Sequence, residues 1–169
     1  MRYFFIIVGL LMSVHAMALS IEDAPDDLFD DVIEMPPLPQ AKEGVLSWEI
    51  FLATKEDEKE ITFPDGGYSF EATPIFTDEM KALNGTEVML HGFIFPLEQA
   101  EKQASFLIGP FPPSCPFHYH VPPTLIVEVQ AKEPVTFSWD EITLKGTLEL
   151  KEKDPNGVYY FLKNAELVE

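Results

Sequence analysis

One proline-rich stretch, residues 110–123, contains most of the reactive side chains of this 169-residue chain. Cys115, His118 and His120 lie there, beside six of the 15 prolines, and Cys115 is the only cysteine of the sequence. Because proline restricts φ and lowers the entropy lost on ordering, the stretch presents its side chains in few conformations. One thiolate and two imidazoles suit Zn²⁺ or Cu⁺, whereas the motif lacks the oxygen ligands that Ca²⁺ and Mg²⁺ prefer. We therefore predict a transition-metal site.

Other interpretations of Cys115 stay open at this stage. Its thiol can be a small buried apolar group, half of an intermolecular disulfide, or a catalytic nucleophile. The motif has no orienting third group, which argues against catalysis, and we expect a protein that is not an enzyme. His118 and His120 are two residues apart and point to opposite sides of an extended backbone, so they share one ion only if the chain turns at Tyr119. Cys115 and His118 are the predicted principal pair.

His91 is the fourth candidate metal ligand, and it lies on a predicted strand outside the loop. Alternation over residues 86–94 gives one apolar face and a second, outer face that carries His91 together with Glu87, Met89 and Phe93. A surface or hydrogen-bonded histidine is the alternative interpretation at this position.

Five short strands are predicted to position these side chains. They cover residues 86–94, 106–109, 125–131, 142–150 and 158–162. Gly92 and Gly146 fall in the middle of the first and fourth strands, where glycine permits sharp coiling, and residues 154–157 form a turn between the last two. With a longer connection between the second and third strands, the pattern predicts an all-β fold with minor α content, a small five-stranded closed barrel of the OB type.

Three elements are predicted ahead of the barrel: a strand or short helix over 45–54, a hairpin over 60–63 and 68–72, and a short helix over 77–83. Ser47 is the start of the first helix if that alternative holds, and Asp65-Gly66-Gly67 supplies the hairpin turn. Thr77 is a capping residue, and Asn84-Gly85 is a stop signal for the second helix.

The N-terminal residues predict export. Residues 1–18 combine Arg2, a short apolar run and a small-residue cleavage site, which is typical of a signal peptide, so we expect the mature chain to begin near Leu19, outside the cytoplasm. Residues 19–44 hold eight acids and four prolines and are predicted to be a flexible acidic leader. A solvated linker is the simplest interpretation of that leader, with a partner-docking strip or a weak cation sponge as alternatives. Residues 45–169 form the single domain.

Composition excludes several functional classes. Eleven Lys and Arg against 29 Asp and Glu give a formal charge of −18, which repels phosphate backbones and anionic lipids. The glycine-rich phosphate-binding patterns are absent, and one cysteine cannot form an intramolecular disulfide. No apolar stretch after the signal approaches the roughly 20 residues of a membrane helix. We expect neither nucleic-acid binding nor a membrane span in the mature protein.

Several motifs resemble an exported bacterial family known only as a domain of unknown function. Leu83-Asn84-Gly85-Thr86-Glu87-Val88 through Gly92-Phe93-Ile94-Phe95-Pro96-Leu97-Glu98 is similar to the family's opening motif. The other segments that carry the likeness are Phe106-Leu107-Ile108-Gly109-Pro110 with Cys115, His120-Val121-Pro122-Pro123, Ile126-Val127-Glu128-Val129, and Asp154-Pro155-Asn156-Gly157-Val158-Tyr159-Tyr160 with Leu162 and Ala165. The likeness spans roughly residues 45–168.

The resemblance implies an OB-like barrel in the Gram-negative envelope, sometimes encoded near metal or lipoprotein ABC transporters, and no established activity. Members of that family commonly have Cys-x-His or Cys-x-x-Cys in the loop, whereas here Cys115 is followed by His118 and His120. Cysteine and histidine replace one another more readily in a metal site than as a nucleophile. We therefore expect a periplasmic accessory protein for metal handling, chaperoning or delivery. The alternative is a non-catalytic interaction module that docks an envelope transporter through the loop.

Overall fold

The computed structural model describes residues 35–113 and 121–168. The predicted signal over residues 1–18 and residues 19–34 of the predicted leader lie outside the described residues. So do the three loop candidates Cys115, His118 and His120. Across the two described ranges, the helices are all too short or too polar to cross a membrane.

Two short helices precede the barrel. Helix α1 (Trp48–Leu52) begins after Ser47, whose hydroxyl caps its first turn, so the helical alternative for residues 45–54 is confirmed. Helix α2 (Asp78–Leu83) begins after Thr77, whose Oγ1 accepts a hydrogen bond from the third backbone N–H of the helix at 3.1 Å, as predicted. The two helices bury three large side chains against the barrel: Trp48, Phe51 and Met80.

A two-stranded antiparallel hairpin lies between the helices in the chain. It consists of β1 (Lys55–Thr62) and β2 (Tyr68–Ile75), with Gly66 at φ 84° in the predicted turn. Both arms are longer than the predicted 60–63 and 68–72. The prediction missed the first part of β1 because it is a run of charged residues, which have low β propensity, although backbone pairing does not depend on the side chains.

Five strands close into a barrel in the order β3-β4-β5-β7-β6, with β3 pairing β6. Neighbouring strands are antiparallel except β5 and β7, which are parallel. This arrangement confirms the predicted all-β fold with a closed five-stranded OB-like barrel. Their bounds are β3 (Glu87–Pro96), β4 (Lys102–Gly109), β5 (Val127–Thr136), β6 (Ile142–Leu150) and β7 (Tyr160–Leu167).

Only β6 has the predicted bounds, and the largest extensions of the other strands share a cause. β4 starts at Lys102 instead of Phe106, β5 extends to Thr136, and β7 covers Tyr160–Leu167 instead of 158–162. The added residues are mostly polar or charged, so they carry no apolar alternation. These residues form strands because their backbones hydrogen-bond to the backbones of neighbouring strands.

Two glycines allow barrel strands to approach closely. β3 pairs with β6 as far as Gly92 and with β4 from Phe93 onward, so the strand changes partner at this glycine. A Cβ at Gly92 would overlap the backbone oxygen of Gly109, and one at Gly146 would lie 2.8 Å from the backbone oxygen of Lys163. Any larger residue at either position would force neighbouring backbones apart.

The barrel interior is the core of the described residues. The predicted apolar face of β3 is buried as expected, with Val88, Leu90 and Ile94 pointing inward. Phe106, Leu125, Leu144 and other apolar side chains from all five strands fill the interior.

Candidate functional site

The proline-rich loop is anchored to the barrel by its described ends. It leaves at Gly109, the last residue of β4, which pairs with Phe93 of β3. It returns through a 3-10 helix, Pro123–Leu125, which leads into β5. Phe111 near the first end and Val121 near the second are half-buried against the core. Because Cys115, His118 and His120 lie outside the described residues, metal binding there stays a prediction.

His91 is on the outer face of β3, as predicted, and its side chain is only 15% exposed. Its Nδ1 lies 2.9 Å from Thr143 Oγ1, and its Nε2 lies 2.8 Å from Glu141 Oε2. Lys42 Nζ lies 2.7 Å from the same Nε2. The backbone oxygen of His91 accepts a hydrogen bond from Trp48 Nε1 at 2.9 Å. The imidazole is therefore held from two separate parts of the chain, Lys42 and residues 141–143, while Trp48 holds the backbone of the same residue.

Strand pairing and one backbone contact explain this convergence. His91 and Thr143 are directly opposite each other in the β3–β6 ladder, and Glu141 immediately precedes β6. Lys42 is brought in by the segment before α1, where the Leu46 N–H donates to the carbonyl of Met89 at 2.8 Å. Residues 35–44 belong to the predicted leader, and within them Leu38 is half-buried against the core. This end of the leader therefore lies on the barrel.

Both ring nitrogens of His91 have protein partners. If Nε2 carries the proton, it donates to Glu141, and Lys42 pairs with the same carboxylate at 3.8 Å. If Nε2 is unprotonated, it accepts a hydrogen bond from Lys42 instead. A metal ion at Nε2 would have to displace both groups and would be repelled by the ammonium of Lys42. The geometry favours the hydrogen-bonded interpretation of His91, and ligation by His91 stays a prediction.

The described residues hold no group of three or more His, Cys, Asp or Glu side chains arranged to bind a metal ion. Sequence reasoning also missed Lys42, Glu141 and Thr143 as partners of His91. The contact between Thr143 and His91 could have been predicted from the sequence. Alternation places both residues on the outer faces of their strands, and an OB-type barrel pairs those two strands. No pattern in the sequence indicates the other two contacts.

The strongest electrostatic perturbations lie at the base of the hairpin. The Tyr159 hydroxyl donates to Glu56 Oε1 at 2.6 Å, and burial, followed by that carboxylate, raises the pKa of Tyr159 far above its ordinary value. The neighbouring Tyr160 donates to the backbone oxygen of Phe51 at 3.3 Å, and burial raises its pKa to about 12. Both phenols therefore remain neutral hydrogen-bond donors and join the hairpin and α1 to the barrel.

A separate groove of about 690 Å³ opens where β5 and β7 diverge. Val135, Ile142 and Leu167 contribute apolar walls, and an ion pair between Lys132 and Glu166, 2.7 Å apart, lies at the groove. The hydrogen bond between the two side chains, followed by the attraction of their opposite charges, raises the pKa of Lys132 and lowers that of Glu166. His91, the one predicted site residue within the described ranges, does not line this groove.

These features define a small OB-like barrel protein with an anchored proline-rich loop and an exposed N-terminal hairpin. The family model described as "Protein of unknown function (DUF3299)" matches residues 51–167, so the chain belongs to the DUF3299 family. The expectation of a domain-of-unknown-function family with a five-stranded barrel is thereby confirmed.

One solved structure is similar to this chain. It is the 2.45 Å crystal structure of a DUF3299 family protein from Pseudomonas aeruginosa PAO1, with 25% sequence identity and a TM-score of 0.44. The match covers 57% of this chain and 68% of that one. No curated protein matches this chain.

Proposed function

We propose that this protein is a periplasmic accessory protein that binds a transition-metal ion, Zn²⁺ or Cu⁺, and serves in metal handling, chaperoning or delivery. The observation that carries the proposal is the donor set Cys-x-x-His-x-His, which combines one thiolate and two imidazoles within six residues of a proline-rich loop. Cys115 and His118 are the principal ligands of the proposed site, and His120 is the third.

Two described features support a binding role for the loop. Its ends are held by the last pair of the β3–β4 ladder and by the 3-10 helix, and Phe111 and Val121 pack against the core. Because both ends are anchored, the loop loses less conformational entropy when its ligands come together around an ion. The large excess of acidic residues also attracts cations to the protein as a whole.

His91 provides a control for the proposed site. Its ring nitrogens already contact Thr143, Glu141 and Lys42, which supports a proposed site that the loop donors form without it. If His91 nevertheless completes the coordination sphere, the ion must replace Glu141 and Lys42 at Nε2. His91→Gln therefore separates a site made by the loop from one that also recruits the barrel.

The test is a metal titration of the mature protein with Zn²⁺ and, under reducing conditions, Cu⁺. Cys115→Ser and His118→Ala should each weaken binding at least about tenfold, or 1.4 kcal/mol. His120→Ala should cost less, and His91→Gln should leave the affinity nearly unchanged. Because thiolate and neutral imidazole are the ligating forms, binding should weaken as the pH falls through about 7 to 5.

A second measurement checks the same proposal through stability. Metal bound only to the native state should raise the melting temperature of the wild type and fail to do so in Cys115→Ser. Equal shifts in the wild type and both principal variants would place the ion elsewhere, most simply on the acidic leader. That outcome would favour the alternative, a non-catalytic module that docks an envelope transporter through the loop.

A further inference from the structure

The two faces of the β1–β2 hairpin differ in composition. Directly opposite residues of an antiparallel pair share a face, so the register assigns every side chain to one side. One side, called here the aromatic face, carries Glu56, Glu58, Glu60, Thr62, Tyr68, Phe70, Ala72 and Pro74. The other, called the mixed face, carries Lys55, Asp57, Lys59, Ile61, Ser69, Glu71, Thr73 and Ile75.

Charge is balanced on the mixed face only. There Asp57 pairs with Lys59 at 3.4 Å, and Glu71 pairs with Lys153 of the barrel at 3.5 Å. The aromatic face has three carboxylates, at every second residue of β1, and no basic residue. Glu56 accepts the hydrogen bond from Tyr159, whereas neither Glu58 nor Glu60 forms an ion pair within the described ranges.

The aromatic face also exposes two rings. Tyr68 is 67% exposed and Phe70 is 62% exposed, and their centroids are 5.8 Å apart in a T-shaped arrangement. Phe70 lies directly opposite Glu60, and Tyr68 lies opposite Thr62. Exposure of two aromatic rings to water and repulsion between neighbouring carboxylates are both unfavourable for an isolated hairpin. A partner that covers the rings and neutralises the carboxylates would remove both costs.

We propose that the aromatic face binds a segment of a partner protein that carries Arg or Lys side chains. A guanidinium or ammonium over the exposed ring of Tyr68 or Phe70 gains a cation–π contact, and Glu58 and Glu60 lie on the same face to accept its hydrogen bonds. The partner's cation also relieves the repulsion between the carboxylates. An anionic membrane surface does not fit, since the same carboxylates repel it. This proposal does not rest on metal binding by the proline-rich loop.

The test uses a fluorescein-labelled peptide in which Arg alternates with Val, so that one side of the extended peptide is cationic. Fluorescence anisotropy should show binding to the mature protein that weakens as salt is added. Glu58→Gln combined with Glu60→Gln should weaken binding at least about tenfold. The matched control, Asp57→Asn combined with Glu71→Gln, removes the same number of carboxylates from the mixed face and should change the affinity less than about twofold.

A second pair of substitutions isolates the rings. Tyr68→Leu combined with Phe70→Leu keeps an apolar surface but removes the π faces, and it should weaken binding about fivefold or more. These positions are exposed, so circular dichroism and the melting temperature should remain those of the wild type.

Three outcomes would overturn the proposal. Equal losses in the two carboxylate double variants would show general attraction to an acidic protein, and no loss in the leucine variant would remove the role of the rings. Stronger binding to neutral phosphatidylcholine vesicles than to the peptide would make the face a lipid contact.

Discussion

Antiparallel pairing joins the two strands of the hairpin and all neighbouring strands of the barrel except β5 and β7, yet the two regions bury very different amounts of surface. In the barrel, alternate residues of β3 and β6 point into a closed interior, and Leu90 and Leu144 are completely buried. In the hairpin, Pro74 near the end of β2 is the buried side chain, and the aromatic rings nearer the turn face water. A strand pair gains apolar burial only when a further layer covers one of its faces.

The hairpin is tied to the barrel by side-chain contacts at its base and at the middle of its strands. Tyr159 bonds to Glu56, and Lys153 pairs with Glu71, so both contacts come from the end of the barrel at the β6–β7 turn. Surface ion pairs contribute little in water, whereas the phenol–carboxylate hydrogen bond is partly shielded. Most of the stability of the fold therefore comes from the barrel, and the exposed part of the hairpin is available to bind a partner.

The largest expected difference between the barrel and the hairpin is the loss of unfolding free energy when a large apolar side chain is truncated. Leu90→Ala should lower the free energy of unfolding by about 3–5 kcal/mol, because it leaves a cavity in the barrel. Phe70→Ala removes a larger side chain from the hairpin but should cost less than about 0.5 kcal/mol, because the ring is already exposed. Urea unfolding of both variants measures the contrast. Similar losses would mean that a further layer covers the aromatic face in solution.

Replacing a glycine by alanine should also cost more stability in the barrel than in the hairpin turn. Gly92→Ala should cost about 2–3 kcal/mol, because the new Cβ meets the backbone oxygen of Gly109, which cannot move without opening the β3–β4 ladder. Gly67→Ala in the hairpin turn places its Cβ 3.3 Å from the end of the Asp65 side chain, which can rotate away. That variant should lose less than about 1 kcal/mol, and urea unfolding of both glycine variants measures the difference. A tolerated Gly92→Ala would contradict the close approach of the barrel strands.

Alkaline pH should test the contact that joins the two regions. The folded-state pKa values of Tyr159 and Tyr160 are raised, the latter to about 12, so folding favours the neutral phenols. Their contribution to stability is fully present below about pH 10, the pKa of tyrosine in the unfolded chain, and is lost as the pH rises toward 12. Tyr159→Phe should reduce this decline and cost about 1 kcal/mol at neutral pH.

Glu56→Gln provides the companion measurement, because it removes the charge next to Tyr159 but keeps a hydrogen-bond acceptor. Its decline above pH 10 should be smaller than that of the wild type. Stability that stays constant to pH 12 in the wild type would contradict the burial of both phenols.

Sequence patterns predicted the barrel where apolar alternation is strong. The inward face of β3, the bounds of β6 and the caps at Ser47 and Thr77 all follow from local residue types. The patterns failed at Lys102–Ser105 and at 163–167, where polar residues become strands by pairing with a neighbouring backbone. Such pairing is a property of two segments together, and neither segment reveals it alone.

The candidate site also has features that the sequence predicts and features that depend on how the strands pair. Residue types suffice to propose Cys115, His118 and His120 as metal ligands, because donor chemistry depends on the side chains themselves. The environment of His91 depends on register, since Thr143 is its partner only when β3 pairs β6. Lys42, 49 residues away in the chain, reaches the imidazole only because the segment before α1 lies along β3.

Local chemistry was therefore readable from the chain alone: the acidic charge, the alternating strands, the helix caps and the donor set of the loop. Closure of the barrel, the partners of His91 and the unequal faces of the hairpin arise from contacts between distant residues. The free energy of those contacts depends on which backbones meet and in what register, and a shift of one residue would exchange the two faces of every strand. Only the folded arrangement decides that register, because side chains from several strands must fill one interior at the same time.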